Sequence, residues 1–193
     1  MTDAQLSVED CIARVLAAAQ QATPRLGGSR LVALDGPAGS GKTSIAAGIE
    51  EMLTKDGTGV STLHMDDLYD GWTGLDAALE ERVLDQVLRP LAADRQARWQ
   101  QYDWYAGRFD RWHLLDPTDV LILEGCGSGA ARYAPYTSLL VWVEARRETR
   151  VRRGVERDGE QVLANWLAWM DLETTYFATN RTSARAEVTC WTG

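Results

Sequence analysis

The segment Gly36-Pro37-Ala38-Gly39-Ser40-Gly41-Lys42-Thr43 constrains this chain more than any other stretch. It fits the pattern Gly-x-x-x-x-Gly-Lys-Ser/Thr, follows the strand-length apolar run Leu31-Val32-Ala33-Leu34, and opens a helical pattern from about Thr43 to Lys55. Glycines let the backbone curl until successive N–H groups point inward, and a helix N-terminus adds partial positive charge aimed at the same spot. Such a loop cradles phosphates. Gly36, Ala38, Gly39, Ser40, Gly41, Lys42, Thr43 and Ser44 are therefore expected to hold a nucleoside triphosphate, ATP, together with Mg²⁺. Lys42 would reach the β- and γ-phosphates, and the Thr43 hydroxyl would ligate the metal that bridges them.

Around this loop the chain alternates between strand and helix patterns. Apolar runs at 31–34, 60–64, 120–123, 139–143 and 187–191 have strand length and are separated by helical stretches. That rhythm predicts an α/β fold of three layers, a five-stranded parallel sheet with helices on both faces. The 193 residues fit one domain. It divides into an N-terminal helical segment (1–28), the phosphate-loop core (30–64), an insertion (65–117) and an Arg-rich lid (145–160). Ser7 with Asp10 forms a capping pair for a helix over 7–20. The insertion carries the helical pattern Leu75, Leu79, Val83, Val87, Leu88, Leu91, then a Trp/Tyr-rich segment from Trp99 to Trp112 that reads as a loop. Residues 145–158 read as an Arg-dense helix, followed by another helix with Val162, Leu163, Trp166, Leu167 and Met170 as its apolar face.

Composition narrows the partners. Lys plus Arg number 20 against 28 Asp plus Glu, and the net charge of -8 argues against a nucleic-acid surface, so any phosphate must be held locally. Cys11, Cys126 and Cys190 are odd in number and lack metal-ligand spacing, as expected of a reduced, cytoplasmic protein. No stretch approaches the ~20 apolar residues that span a bilayer, so no membrane association is expected. Oligomeric state is open, a homodimer included.

Phosphoryl transfer needs a group to orient or deprotonate the acceptor and groups to hold the metal. In a parallel sheet ligands gather beyond the carboxyl ends of the strands, which brings forward Asp66 and Asp67 after the second strand and Glu124 after the third. Either aspartate could be the base, and Asp66 and Glu124 could join Thr43 at the metal. Of the arginines at 146, 147, 150, 152, 153 and 157, Arg153 and Arg157 are the candidates to close over the transferring phosphate. Both histidines, His64 and His113, read as structural, and Asp35 as a metal-supporting or turn residue.

Taken in order, these segments resemble the uridine kinase and phosphoribulokinase group of P-loop kinases. Asp66-Asp67-Leu68-Tyr69 is similar to that group's Asp-x-Phe-Tyr, and Tyr102-Asp103-Trp104 to its Tyr-Asp-Phe. Ile122-Leu123-Glu124-Gly125 matches its Ile-Leu-Glu-Gly, Arg153-x-x-x-Arg157-Asp158 resembles its lid, and Ala186-Glu187-Val188 its last strand. The resemblance implies a nucleoside-kinase-like fold with Asp66 as general base, Lys42, Arg153 and Arg157 in catalysis, and Asp67, Tyr69, Tyr102, Trp104 and Arg108 around the acceptor. Where the group has a His followed by an Arg, this chain has Gly107, with Arg108 one residue early. The expected activity is γ-phosphoryl transfer from ATP to a hydroxyl, with uridine or cytidine as the first-ranked acceptor and a sugar, vitamin precursor or antibiotic as alternatives. A nucleotide-binding regulator without a diffusible acceptor is the competing class; the Asn-Lys-x-Asp motif of guanine-specific switches is absent from the sequence.

Overall fold

The computed structural model describes residues 7–193. Helix α1 (Val8–Gln21) starts at the predicted cap: Ser7 Oγ accepts from the Asp10 N–H at 3.0 Å while the Asp10 carboxylate accepts from the Ser7 N–H. Strand β1 (Arg30–Asp35) leads through the phosphate loop into α2 (Lys42–Lys55), and β2 (Val60–His64) runs into a 3₁₀ turn at Met65–Asp67. The insertion's helical pattern is realised as α3 (Ala77–Val83), a π-helical turn (Leu84–Leu88) and α4 (Arg89–Ala92).

The Trp99–Trp112 segment differs from its expectation. It is not a loop but an antiparallel hairpin, β3 (Ala97–Asp103) with β4 (Arg108–Leu115), so His113 lies on a strand. Its register shifts between Gln100 and Tyr102, which breaks the strict alternation that would betray a strand pair. The turn is built by Asp103, whose Oδ1 accepts from the N–H groups of Tyr105 and Ala106, and by Gly107 at φ 65°.

After β5 (Val120–Glu124) and β6 (Leu139–Glu144), helix α5 (Arg147–Asp158) carries the arginines and starts two residues later than its pattern suggested. Helices α6 (Leu163–Asn180) and α7 (Thr182–Arg185) precede β7 (Val188–Trp191). Five strands form one parallel sheet in the order β2-β5-β1-β6-β7, with β1 at its centre. Alternation along the buried strands feeds two cores. Leu31, Leu63, Leu121 and Leu123 pack with the insertion helices, Trp169 and Tyr176, whereas Val32, Leu34, Ile122 and Val141 face Cys11, Val15, Ile45 and Ile49 from α1 and α2. Among the described residues no helix is long and apolar enough to cross a membrane.

Central placement of β1 decides where the site lies. Its neighbours diverge on either side, β5 toward the insertion and β6 toward the lid, so the crevice opens at the carboxyl end of β1.

Candidate active site

The loop after β1 has the backbone its glycines predict. Gly36, Gly39 and Gly41 hold φ of 145°, 77° and 94°, and Gly41 starts α2 without any side-chain cap, leaving the helix's first N–H groups available to an anion. Neither Gly36 nor Gly39 has room for a side chain: a Cβ would run into the Val143 carbonyl at the first and the Arg150 backbone at the second. Gly36→Ala is accordingly expected to cost about 2 kcal/mol or more, read as a melting temperature lower by about 4 °C or more. Unchanged melting would show that the loop relaxes around the methyl group. Ser40 Oγ is buried in the loop without a hydrogen-bond partner. An uncapped helix start, a curled glycine backbone and an unsatisfied hydroxyl fit a bound triphosphate.

Lys42 is buried, and its Nζ donates to the carbonyls of Gly36 at 2.8 Å and Pro37 at 2.9 Å. Burial works against its charge, but Cys126, Glu124, Asp35 and Glu173 around it more than offset that and hold its pKa above the usual value. Asp35, the last residue of β1, is fully buried and accepts from the N–H groups of Gly36, Gly127 and Gly129 at 2.8–2.9 Å. Burial pushes its pKa to about 6 despite those donors. Asp35 thus ties the loop after β1 to the loop after β5.

Sheet register places Glu124 between Leu34 of β1 and His64 of β2. Its Oε1 accepts the Thr43 hydroxyl at 3.2 Å and lies 2.6 Å from His64 Nδ1. Accepted by the Glu124 carboxylate, that hydrogen bond raises the His64 pKa. Among the described residues no three His, Cys, Asp or Glu side chains gather as a metal cage. Thr43 and Glu124 instead offer two adjacent oxygens, the donor set Mg²⁺ uses when phosphates and water complete its shell. Asp66 opens into the cleft from the Met65–Asp67 turn, and protein crowding, then Glu124, raise its pKa.

Asp66, Asp67, Tyr69, Trp72, Trp104, Glu124, Arg153, Arg157 and Trp169 line a single cleft of about 790 Å³ with Ala38, Gly39, Gly41, Lys42, Thr43 and Ser44 of the phosphate loop. Arg153 donates to the carbonyls of Gly39 and Thr192, and Arg157 pairs with Asp158. Tyr69 is almost wholly buried within the cleft wall, its hydroxyl donating to the Cys126 carbonyl at 2.8 Å. Two residues of the predicted acceptor set stand outside the lining. Tyr102 is buried in the hairpin against Trp104 and Phe109, and Arg108 is exposed at the start of β4.

Sequence reasoning missed three members of this neighbourhood. His64, read as structural, touches Glu124; the signal was its place at the end of a strand beside the Ile-Leu-Glu-Gly strand. Glu173 on α6 accepts from the Ala38 N–H at 2.8 Å and from Arg150 at 2.7 Å, so it braces the loop after β1 against α5. Cys126 sits 3.9 Å from Lys42 Nζ. The Glu173–Ala38 and Cys126–Lys42 contacts join residues more than 80 positions apart, with no local pattern to announce them.

No protein-family model matches the chain, and no curated protein matches it by sequence. Solved structures match its fold over nearly the whole length. A structure described as a possible uridine kinase from Bacillus stearothermophilus aligns with a TM-score of 0.72 at 20% identity, covering 95% of this chain and 98% of that one. A candidate fructose transport system kinase from Silicibacter sp. TM1040 aligns at 0.68 and 18% identity, covering 95% and 98%. The YGR205w protein aligns at 0.59 and 14%, covering 97% and 94%. The chain has the fold these structures share, the same fold its sequence motifs resemble.

Proposed function

We propose that this chain is an ATP-dependent phosphotransferase that moves the γ-phosphoryl group onto a hydroxyl of a small molecule. The observation that carries this reading is convergence in one cleft: the phosphate loop, the Thr43–Glu124 oxygen pair, the open carboxylate of Asp66 and the lid arginine Arg157. Mg²⁺ bound with the triphosphate would neutralise charge between the β- and γ-phosphate oxygens, with Thr43 and Glu124 as its protein ligands.

Each side chain then has a definite task. Lys42 exchanges its loop carbonyls for phosphate oxygens. Asp66 accepts the hydroxyl proton late in a loose transition state, for which a carboxylate suffices. Arg157 swings from Asp158 toward the charge developing on the transferred group, and Arg153 holds the lid to Gly39 and Thr192. The structural neighbours described as a possible uridine kinase and a candidate fructose transport system kinase support a small hydroxyl acceptor, and uridine and cytidine enter the panel by sequence resemblance. The three free cysteines suit a reducing, cytoplasmic setting.

A pure nucleotide switch would leave both Asp66 and the cleft beside it without a task. The deciding experiment incubates the protein with labelled ATP and Mg²⁺ against nucleosides, sugars, amino alcohols and hydroxylated cofactor precursors. A labelled product from one acceptor class is expected. Intact nucleotide binding with no product from any class would sink the kinase reading.

A further inference from the structure

The half of the cleft that faces the acceptor differs in chemistry from the half that faces the phosphates. Its walls are Trp72, Trp104 and Trp169, with the carboxylates of Asp66 and Asp67 beside them. The indoles meet nearly at right angles: Trp72 stands 5.5 Å from Trp104 at 69° and 6.3 Å from Trp169 at 80°. Trp72, set steeply against both neighbours, makes with them a corner of aromatic surface in the cleft lining, the kind of surface that attracts an organic cation.

Hydrogen-bond inventory sharpens the point. The Tyr69 hydroxyl donates to the Cys126 carbonyl, and Trp104 Nε1 donates to the Asp66 carbonyl at 2.9 Å. Behind Asp67, the Gln101 amide donates to its Oδ1 at 2.8 Å, and Gln101 Oε1 meets His113 Nε2. Among the described residues, the single indole N–H groups of Trp72 and Trp169 are the side-chain donors left on this side. The cations belong to the phosphate side: Lys42 lies in the phosphate loop, Arg153 is held to Gly39 and Thr192, and Arg157 turns toward the transferred group. What remains for a ligand on this side is carboxylate oxygen, ring face and two indole N–H groups. Two carboxylates among ring faces favour positive charge over a neutral pyrimidine edge, and a phosphorylated or carboxylated acceptor is the worst matched.

The geometry points to an acceptor that carries a protonated or quaternary amine near its reacting hydroxyl, an amino alcohol or amino sugar, with the ammonium in the Trp72 corner. This deepens the kinase reading and relies on it for the hydroxyl alone. In the transfer, the bond from the γ-phosphorus to the ADP oxygen breaks as the bond to the acceptor oxygen forms, and the hydroxyl proton passes to Asp66. The ammonium stays intact throughout. Carboxylates of Asp66 and Asp67 give it counter-charge, and the indoles give it a surface that sheds water.

The test is calorimetric binding without ATP, using pairs that differ in charge but little in shape: choline against neohexanol, its uncharged carbon isostere, and glucosamine against glucose, with uridine as a third arm. At least one cationic member is expected to bind about tenfold or more tighter than its neutral partner. Trp72→Ala should reduce that ratio to about twofold, while Trp72→Phe, which keeps a ring face, should retain most of it. ATP binding by the same variants certifies their fold. Equal or tighter binding of both neutral members, no binding by either cation, or tighter binding of uridine than of either cation overturns the inference. Because binding is read without turnover, a protein that prefers the cation yet phosphorylates nothing would refute the kinase reading alone. One that phosphorylates uridine and ignores both amines would refute only the cationic acceptor.

Discussion

Asp66→Asn is expected to slow phosphoryl transfer by about 10²–10⁴-fold, the usual worth of a positioned general base, while ATP binding survives. Asp66 lines the same cleft as the Thr43–Glu124 pair and makes no side-chain hydrogen bond to the phosphate loop, so its loss is expected to remove an interaction realised in the transition state. Asp67 is the rival base, but its Oδ1 is held by Gln101 from the hairpin, whereas the Asp66 carboxylate opens into the cleft. The variant should melt no lower than the parent. Glu124 is a like charge that raises the Asp66 pKa, and an amide removes that repulsion. The parent's activity should fall on acidification at a pH above the ordinary aspartate range, because transfer requires the ionised form and the folded pKa is raised. Single-turnover transfer and nucleotide titration on the same preparations check both halves. Near-parental turnover in Asp66→Asn would move the base to Asp67 or to no side chain.

How much of this was legible in the sequence depends on the range of the interaction. The phosphate loop, the Ser7 cap and the five strands are set by neighbours within a few residues, and all were readable as local pattern. Asp66, Asp67 and Glu124 were reachable because a parallel sheet sends its strand ends to one side. Strand order was not readable as pattern, and with it went His64: only when β5 lies between β1 and β2 does His64 fall beside Glu124. Glu173 illustrates the same limit. Its partners Ala38 and Arg150 are 135 and 23 residues away, and it sits in a helix whose aromatic residues dominate the pattern. The hairpin failed for a different reason. A register shift at Gln100/Tyr102 spoiled the period-two signal, although Asp103 and Gly107 carried turn chemistry that could have exposed it. Arg108, placed around the acceptor by resemblance alone, is exposed at the start of β4 and lies outside the cleft lining.

Lys42→Met should have the second large effect, and it should appear in two separable readouts. Methionine keeps the unbranched length and removes the ammonium, so each lost charge-assisted contact to phosphate costs about 1.5–3 kcal/mol, roughly 10- to 100-fold in ATP affinity. Transfer should fall further, by about 10²–10³-fold, because the lysine also meets charge that develops on the moving group. The other readout is stability against pH. Asp35 has its pKa raised from 3.8 to about 6 by burial, with Lys42 among the groups that hold it down. A carboxyl with a raised folded pKa binds more protons folded than unfolded between those two values. Its contribution to stability therefore falls as pH rises through that window, by about 3 kcal/mol in all. Removing the ammonium should push the Asp35 pKa higher and extend the decline toward neutral pH. Near pH 5 both proteins hold Asp35 largely protonated, so the two should differ least there. The gap should widen toward pH 8, where the parent retains the Lys42 counter-charge and the variant faces Asp35, Glu124 and Glu173 without it. Melting temperatures across that range decide the matter. Parallel curves for parent and variant would mean that Asp35 is held by its three backbone donors alone and that Lys42 serves the phosphates without supporting the fold.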